Sequence, residues 1–253
     1  MDTRLQGRTA LVTGATSNIG RAIALAYGAA GAHVAVSGRD PERGAAVIAQ
    51  VRAAGGRADF VPADLDGSPG RSRALADAAV AALGRVDVLV NNAGVYPAGT
   101  TLTTDEETFD RIFAVNVKAP FFLTAALVPG MTERGGGVVV NIGSWIARLG
   151  VPGGSAYSAS KGAVETLTRA WSAEFGPGGV RVNAVSPGVV ADAGSELERL
   201  AVGMMRGTPA DAVGRPEAIA VAAVYLASDD AAFVHGTVLD VDGGRTGVAV
   251  VAS

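Results

Sequence analysis

The feature that most constrains the fold of this chain is a regular alternation of apolar runs with alanine-rich stretches along its 253 residues. The runs are rich in β-branched residues and nearly continuously apolar, which is typical of strands buried on both faces. The alanine-rich stretches have the length and composition of helices. The pattern predicts seven strands, at 9–13, 33–37, 58–62, 87–91, 138–142, 180–185 and 237–241, and helices near 19–30, 41–54, 69–83, 105–133, 156–175 and 216–227.

Alternating strands and helices form a parallel sheet with right-handed crossovers, because each helix carries the chain back before the next strand begins. We therefore predict an α/β fold, a doubly wound parallel seven-stranded sheet with helices on both faces. The even pattern contains no low-complexity linker, which favours a single domain over residues 1–253. Ligands of such sheets bind beyond the carboxyl ends of the strands. The long irregular stretch from 187 to about 215 is expected to form a lid over a substrate.

Composition excludes several classes of function. There is no cysteine, so disulfides, thiol catalysis and zinc–thiolate sites are excluded. The two histidines, His33 and His235, lie far apart in the sequence, and we expect no metal site. The net charge of −3 and the lack of a long basic run argue against a nucleic-acid partner. No apolar segment approaches about 18 residues and Met1–Leu5 does not resemble a signal peptide, so we expect a cytoplasmic protein without a membrane span.

The first predicted strand is followed by a glycine-containing turn and then by a helix. The turn reads Thr13-Gly14-Ala15-Thr16-Ser17-Asn18-Ile19-Gly20. Glycines let a backbone turn tightly and approach a pyrophosphate, which binds at a helix N-terminus. The spacing differs from the three-glycine dinucleotide fingerprint. Taken alone, the segment leaves two interpretations open: a phosphate-binding loop and a turn without a ligand.

A tyrosine and a lysine, Tyr157 and Lys161, lie four residues apart in a predicted helix. This spacing places both side chains on one helix face. An ammonium group beside a phenol favours the phenolate, which makes the tyrosine a better acid and base. The pair alone is a weak signal because the spacing is common. Ser144, which closely follows the predicted strand 138–142, could by itself equally be the cap of a helix or turn.

Together and in this order, the short motifs of the chain resemble the short-chain dehydrogenase/reductase family, in its single-domain branch with a Rossmann-type fold. The resemblance extends over essentially the whole chain and rests on the set rather than on any one motif. The matching positions are the 13–20 turn, Asp64-Leu65, Asn91-Asn92-Ala93-Gly94, Asn116, Ser144, Tyr157, Lys161, Pro187-Gly188, Gly214-Arg215-Pro216-Glu217 and Asp242-Gly243-Gly244.

The resemblance implies a nicotinamide dinucleotide cofactor. Asp64 would accept a hydrogen bond from the adenine, with Leu65 beside the ring. Asn18 stands where the family usually has glycine, but asparagine tolerates left-handed backbone angles better than other non-glycine residues. The residues expected to bind the cofactor are Gly14, Thr16, Ser17, Asn18, Ile19, Gly20, Arg39, Asp64, Leu65, Asn92, Ala93, Gly94, Tyr157, Lys161, Pro187, Gly188 and Val190.

The resemblance also implies a catalytic set that moves a hydride between the nicotinamide and a carbonyl or secondary alcohol. Tyr157 would exchange a proton with the substrate oxygen, and Ser144 would hydrogen-bond the same oxygen. Lys161 would lower the pKa of the phenol and hydrogen-bond the nicotinamide ribose. Asn116 would hold a water molecule that relays protons to Lys161.

The end of the second predicted strand favours NADP(H) over NAD(H). In relatives that prefer NAD, an acidic residue at this position binds the ribose diol. Gly38 occupies it in this chain, and Arg39 follows, which could pair with a 2′-phosphate. Arg39 could also be a solvated charge or stack on the adenine. Asp40 follows closely, and Ser17 stands where NADP enzymes often carry a second basic residue.

The segments expected to face the substrate are largely apolar, which favours a small to medium hydrophobic carbonyl compound. The same side chains could instead form the core of the lid. Asp192 stands where many relatives carry a threonine near the nicotinamide, and a carboxylate there would need to turn outward or find a cation. The candidate lining residues are Tyr96, Trp145, Ile146, Leu149, Val151, Leu197, Leu200, Met204 and Met205.

Three alternative functions remain open: a 3-oxoacyl-carrier-protein reductase, a non-catalytic NADP-sensing regulator, and an epimerase or dehydratase. An acidic carrier protein needs a basic surface on which to dock, and Arg134 beside Glu133 provides little positive charge for this. The resemblance suggests a homotetramer built from the helices near 105–133 and 156–175 and from the C-terminal strand. The apolar tail at 247–252 is expected to pack across a subunit interface.

Overall fold

The computed structural model describes residues 3–249, and a parallel seven-stranded sheet forms its centre. The strands are β1 (Thr9–Val12), β2 (His33–Gly38), β3 (Arg57–Pro62), β4 (Val88–Asn91), β5 (Gly137–Ile142), β6 (Val180–Pro187) and β7 (Val238–Val241). They lie in the order β3-β2-β1-β4-β5-β6-β7. The order reverses between β1 and β4, which is where doubly wound sheets open a crevice for ligands.

Eight α-helices of four or more residues cover the sheet in the described part of the chain. They are α1 (Asn18–Ala29), α2 (Pro41–Ala53), α3 (Pro69–Leu83), α4 (Glu106–Phe113), α5 (Ala119–Glu133), α6 (Ser155–Phe175), α7 (Glu196–Met205) and α8 (Pro216–Ala227). The predicted fold class is confirmed, and every predicted strand and helical region is present with ends shifted by a few residues.

The two sheet faces bury alternate residues of each central strand. Val12, Val90 and Val140 belong to one core cluster, which α1 and α8 complete. Leu11, Leu89 and Val139 belong to the other, which α3 and α5 complete. Successive strand residues point to opposite faces, so a strand covered on both sides must be apolar throughout. This is the physical basis of the runs seen in the sequence.

The predicted helix near 105–133 is divided in two by a π-helical turn, Ala114–Lys118, between α4 and α5. Asp105 caps α4 by accepting from the Thr108 amide at 2.8 Å. Glu106–Glu133 as a whole is long and apolar enough to cross a membrane, and 44% of its most apolar window is buried within the fold. Core helices of globular proteins have the same composition.

The 187–215 stretch is not irregular throughout, as the sequence had suggested, because it contains α7. Ser195 caps this helix by accepting from the Glu198 amide at 3.1 Å. Glu198 also pairs with Arg215 at 2.6 Å, which ties the helix to the start of α8. The capping pattern Ser195-Glu196-Leu197-Glu198 was visible in the sequence and identifies this helix start. We use the name lid for residues 188–215.

Candidate active site

A cleft of about 1340 Å³ opens at the carboxyl ends of the strands, at the reversal of strand order. Its walls come from the 13–20 turn, the ends of β2 to β6 and the start of the lid. All residues expected to bind the cofactor line it, together with Ser144: Gly14, Thr16, Ser17, Asn18, Ile19, Gly20, Arg39, Asp64, Leu65, Asn92, Ala93, Gly94, Tyr157, Lys161, Pro187, Gly188 and Val190.

The turn after β1 needs glycine because two backbone segments cross within it. A Cβ on Gly20 would lie 2.2 Å from the Gly14 oxygen and 2.5 Å from Asn92 Nδ2. Asn92 Nδ2 donates to the Thr13 and Gly14 oxygens at 2.8 and 3.1 Å. The residue that follows β4 therefore holds the turn on the side of the sheet, and the opposite side of the turn faces the cleft.

The start of α1 has the backbone geometry of an anion cradle. Asn18 has a φ of 43°, so it adopts the left-handed conformation that the sequence expectation required of it. Asp40 and Ser68 cap α2 and α3 through their side chains, whereas the Ser17 side chain makes no such bond in the described chain. The first amides of α1 are thus left for a ligand, which fits a pyrophosphate.

The end of β2 gathers several charges at the rim of the cleft. A Cβ on Gly38 would meet Thr16 Cγ2 at 2.6 Å, so a larger side chain at Gly38 has little room. Arg39 is about two-thirds exposed and its Nε lies 4.0 Å from Asp64 Oδ1. Arg43, one turn into α2, also lines the cleft and was not among the expected residues. An exposed pair of this kind contributes little to stability, so Arg39 can change partners at small cost.

The catalytic candidates meet at the end of β5 and the start of α6. Burial raises the pKa of Tyr157 to about 12, and the hydrogen bond with the Ser144 hydroxyl offsets only part of that rise. Tyr96 packs on the same phenol ring, with ring centroids 4.4 Å apart. Ser144 ends up beside Tyr157 because it begins the short 3₁₀ turn Trp145–Ala147 after β5. At neutral pH the phenol is protonated and can donate its proton to an oxygen in the cleft.

Burial sets the direction of the shift in the pKa of the Tyr157 phenol, which is upward, and the expected lowering of that pKa by Lys161 stays a prediction. Burial also lowers the pKa of Lys161 itself to about 8. Its Nζ donates to the Ile142 oxygen at 2.8 Å and lies 5.7 Å from the centre of the Tyr157 ring. The ammonium is therefore fixed beside the phenol by a backbone carbonyl.

Asn116 lies behind the cleft wall, in the π-helical turn, and is buried. Its Oδ1 accepts from the Val95 amide at 2.8 Å, and its Nδ2 donates to the Val95 oxygen at 3.1 Å. The same Nδ2 donates to Ser160 Oγ at 3.1 Å. Asn116 thereby fixes the segment after β4 next to α6. Its expected role in holding a water molecule stays a prediction.

An ion-pair network, in which only Glu165 is buried, supports the turn that carries Ser144. Arg148 Nε lies 3.4 Å from Glu165 Oε1, on α6, and its terminal nitrogens bind Asp240 on β7. One of them also donates to Ser186 Oγ at 3.1 Å. Burial raises the pKa of Glu165, and Arg148 opposes that rise. Sequence reasoning missed this network because its members lie on four separate segments.

The substrate side differs from the expected apolar lining. Trp145, Ile146 and Met205 are buried in the core, whereas Leu197 and Leu200 are exposed on the lid. Tyr96 is the only member of the expected set among the described residues that line the main cleft. Asp192 is exposed on the lid surface, which avoids the cost of burying its charge. The outward orientation is one of the two options that the sequence left open.

Several further cleft residues went unnoticed in the sequence, among them the charged side chains Arg43, Glu107 and Arg111. Glu107 and Arg111 lie four residues apart on α4, the spacing of one helix face. Arg43 follows closely on the end of β2, which was a usable signal, whereas Glu107 and Arg111 lie far beyond the end of β4 and had no such signal. Among residues 3–249, no group of three or more histidine, aspartate or glutamate side chains is arranged to hold a metal ion.

Comparisons with known proteins agree with this geometry. The family model for short chain dehydrogenases matches residues 8–199. An uncharacterised oxidoreductase of Thermotoga maritima is 37% identical over 251 residues, which are 96% of this chain and 99% of that protein. The chain belongs to the short-chain dehydrogenase family.

Two solved structures of this fold illustrate the range of its ligands. A 7α-hydroxysteroid dehydrogenase complexed with NADH and a 7-oxo bile acid superposes with a TM-score of 0.90 at 34% identity, covering 96% of this chain and 97% of that one. A gluconate 5-dehydrogenase from Burkholderia cenocepacia, complexed with NADP and tartrate, superposes with a TM-score of 0.90 at 32% identity, covering 98% of both chains. This chain is accordingly an oxidoreductase of alcohols or carbonyls that uses a nicotinamide cofactor.

Proposed function

We propose that the protein is an NADP(H)-preferring oxidoreductase of a small to medium carbonyl compound or the corresponding secondary alcohol. The observation that carries this proposal is the meeting of Tyr157, Ser144 and Lys161 at one end of the cleft. A protonated phenol, a hydroxyl and a buried ammonium supply a proton, a second hydrogen bond and a positive charge at one point.

Tyr157, Ser144 and Lys161 each have a separate role in the reduction of the carbonyl. When bound, the nicotinamide supplies the hydride that goes to the carbonyl carbon. Tyr157 donates its phenolic proton to the carbonyl oxygen, and Ser144 donates a hydrogen bond to the same oxygen. The nearby Lys161 ammonium stabilises the phenolate that remains until solvent returns the proton. Oxidation of the alcohol reverses these steps.

The preference for NADP(H) is supported by the charges at the end of β2. Arg39 and Arg43 both line the cleft there, and Gly38 occupies the position from which a carboxylate would bind a ribose diol. Asp40 also lines the cleft, but its carboxylate pairs with Arg43 at 3.3 Å. A 2′-phosphate could accept hydrogen bonds from one or both guanidinium groups. The partner that Arg39 already has, Asp64, is exposed and 4.0 Å away, so the pair competes weakly.

The cofactor proposal is tested by comparing kcat/KM for NADPH and NADH in the wild type and in Arg39→Gln. We expect the wild type to prefer NADPH by about tenfold or more, and the variant to lose most of that preference through KM for NADPH. Arg57→Gln, at the opposite end of the sheet, serves as the matched control. A wild type that prefers NADH would overturn the preference and leave the carbonyl chemistry standing.

The catalytic proposal is tested with Tyr157→Phe. This change removes only the phenolic hydroxyl, so NADPH binding should stay within a factor of about three while turnover falls about 10²–10⁴-fold. NADPH oxidation at 340 nm, followed with a panel of ketones, measures turnover, and calorimetry measures binding. Near-normal turnover of the variant would refute the assignment of Tyr157. Binding of NADPH without turnover of any ketone or alcohol would favour the regulator.

A carrier-bound acyl substrate is the second candidate, and the surface gives it little support. The Arg134 side chain, which the sequence offered as docking ground, donates to the Val86 oxygen at 2.9 Å. A buried backbone bond occupies part of the guanidinium, so it is less available to an acidic carrier.

We also propose a cytoplasmic homo-oligomer, a tetramer by family expectation. An apolar groove of about 460 Å³ lies between α5 and α6, and Phe121 beside it is 43% exposed. Apolar surface of this kind favours association with a second copy. Residues 250–252 of the apolar tail lie outside the described residues, so its expected packing stays a prediction. Sedimentation of Phe121→Glu against the wild type tests the groove, and an unchanged mass would argue against it.

A further inference from the structure

A second cavity, of about 590 Å³, lies beside the catalytic turn and is distinct from the nucleotide cleft. Three separate segments form it: the end of the catalytic turn at Leu149, the C-terminal end of α7, and the residues after β7. Among the described residues, the two cavities have no lining residue in common. The lining consists of Leu149, Gly203, Met204, Arg206, Arg245, Thr246, Gly247, Val248 and Ala249.

The cavity carries positive charge without a compensating carboxylate. Arg206 and Arg245 both line it, and none of its described lining residues is acidic. Neither arginine has a carboxylate partner in the described chain, in contrast to Arg148 and Arg215 on neighbouring segments. The remaining walls, including Leu149 and Val248, are mostly apolar. Two guanidinium groups beside apolar walls suit an anionic group attached to a carbon chain.

Arg245 is held in place with hydrogen-bonding capacity to spare. Its guanidinium carbon lies 4.3 Å from the centre of the Trp145 ring, and its Nη1 donates to the Met204 oxygen. Its Nε is buried and has no acceptor among the described residues. Buried N–H groups normally have a partner, so the unpartnered Nε means that part of the hydrogen-bonding capacity of this guanidinium is unused.

The cavity lies within reach of the reacting groups. Trp145, against which Arg245 stacks, directly follows Ser144 in the sequence. The turn between them and the cavity is compact, since the Leu149 amide donates back to the Trp145 oxygen at 3.3 Å. A 3₁₀ turn rises about 2 Å per residue, which places Leu149 on the order of 10 Å from Ser144. That distance is comparable with the length of a medium-sized substrate.

We propose that Arg206 and Arg245 bind an anionic group, a carboxylate or a similar oxyanion, at the far end of the carbonyl or alcohol substrate. This inference rests on the proposed function and narrows its substrate class to anionic ketones or hydroxy acids with an apolar middle. Leu149 and Met204 would contact the carbon chain while the guanidinium groups bind the charged end.

The test uses pairs of substrates that differ only in charge: straight-chain methyl ketones ending in a carboxylate, and the methyl esters of the same acids. Each pair is assayed with NADPH and the wild type, Arg206→Gln, Arg245→Gln and the double variant. Arg199→Gln is the matched control, because Arg199 is exposed on the same helix and lies outside the cavity. Arg206 is itself exposed, so its substitution tests the proposal even where Arg245→Gln impairs folding by removing the contact with Trp145.

We expect the wild type to favour one or more of the acids over their esters, with KM lower by about tenfold. Arg206→Gln and Arg245→Gln should each raise KM for the acid about tenfold more than they raise KM for the ester. Added salt should weaken binding of the acid more than that of the ester. Equal KM values for every acid and ester, or a loss of the same size in Arg199→Gln, would overturn the proposal.

Two further measurements separate this proposal from the function on which it rests. Calorimetry with the keto acids and the NADP⁺-bound protein detects binding without turnover, so a weaker affinity in Arg206→Gln supports the site even if no ketone is reduced. Inhibition by acetate should be competitive with the keto acid. Non-competitive inhibition would overturn the assignment to the substrate, because the anion would then bind together with it.

Discussion

The two ends of the cleft are built in different ways. At the nucleotide end, the 13–20 turn, the end of β2 and Asn92 are held by backbone bonds and by positions where a side chain has no room. At the substrate end, ion pairs between distant segments hold the structure, such as Arg148 with Asp240 and Glu198 with Arg215. The first end therefore tolerates no added atoms, while the second tolerates changes that keep its charges paired.

The largest effect on stability and cofactor binding is expected from Gly20→Ala, which adds an atom at the nucleotide end of the cleft. The added Cβ would lie 2.2 Å from the Gly14 oxygen, so the turn must move and the amides of α1 move with it. We expect a loss of about 1–3 kcal/mol of stability and about 100-fold weaker NADPH binding, measured by urea unfolding and calorimetry. In Gly162→Ala, the control on α6, the Cβ meets nothing within 4 Å, and stability should rise by about 0.5–1 kcal/mol. Unchanged NADPH affinity in Gly20→Ala would contradict the steric account.

Lys161→Met is expected to abolish turnover and yet stabilise the fold at neutral pH. Burial lowers the pKa of Lys161 from 10.5 to about 8, so keeping it charged at pH 7 costs on the order of 3 kcal/mol. Between these two pH values the unfolded chain binds more protons than the folded one, so the stability of the wild type rises with pH. The advantage of the variant should therefore shrink as pH rises from 7 to 9.5. Urea unfolding across that range measures it, and a constant difference would contradict the buried ammonium.

Arg148→Gln tests whether the ion-pair network at the substrate end positions Ser144. Removing the guanidinium leaves the buried Glu165 without its cation, which raises the pKa of that carboxyl further. We expect kcat to fall about tenfold with little change in KM for NADPH, because only the turn after β5 loosens. A group whose folded pKa is raised loses stability as pH rises through that pKa, so the variant should become less stable above the ordinary glutamate range.

Arg148→Lys provides the control, since it restores the charge without the planar fork and should recover part of kcat. An equal fall of kcat in the glutamine and lysine variants would mean that bidentate geometry, rather than charge, positions the turn. A normal kcat in both variants would show that the turn holds Ser144 without Arg148.

The smallest effects on stability are expected at Asn18, where the substitutions test the backbone conformation rather than a side-chain contact. Its φ of 43° suits glycine, and its Oδ1 is buried without a partner among the described residues. Asn18→Gly should therefore change stability by less than about 1 kcal/mol, whereas Asn18→Ala should lower it by about 1 kcal/mol. Urea unfolding of the two variants side by side measures this. Equal losses would mean that the amide group, not the backbone angle, matters.

Sequence reasoning was sufficient for the sheet and for the nucleotide end because local patterns encode both. Doubly buried strands must be apolar, and close backbone crossings must use small residues, as at Gly20. The substrate end depends on partners far apart in the sequence, so neither the Arg148 network nor the burial of Trp145 had a local signal. The burial that raises the pKa of Tyr157 had no local signal either, because the Tyr-x-x-x-Lys spacing reports proximity and not burial. The start of α7 did have a signal, the Ser195–Glu198 capping pattern, which was overlooked.

The π-helical turn at Ala114–Lys118 lets the continuous helical segment formed by α4 and α5 line two separate sites. An extra residue in a single turn rotates everything that follows it around the helix axis. Arg111 before the turn and Val115 near its start line the nucleotide cleft, whereas Val117 and Lys118 at its end, with Phe121 and Phe122 after it, line the apolar groove. Deleting one residue at the turn would rotate α5 by about 100° relative to α4, so the phenylalanines would leave the groove and the bonds of Asn116 to Val95 and Ser160 would be disturbed. The single extra residue therefore sets the wall of the cleft and the wall of the groove together.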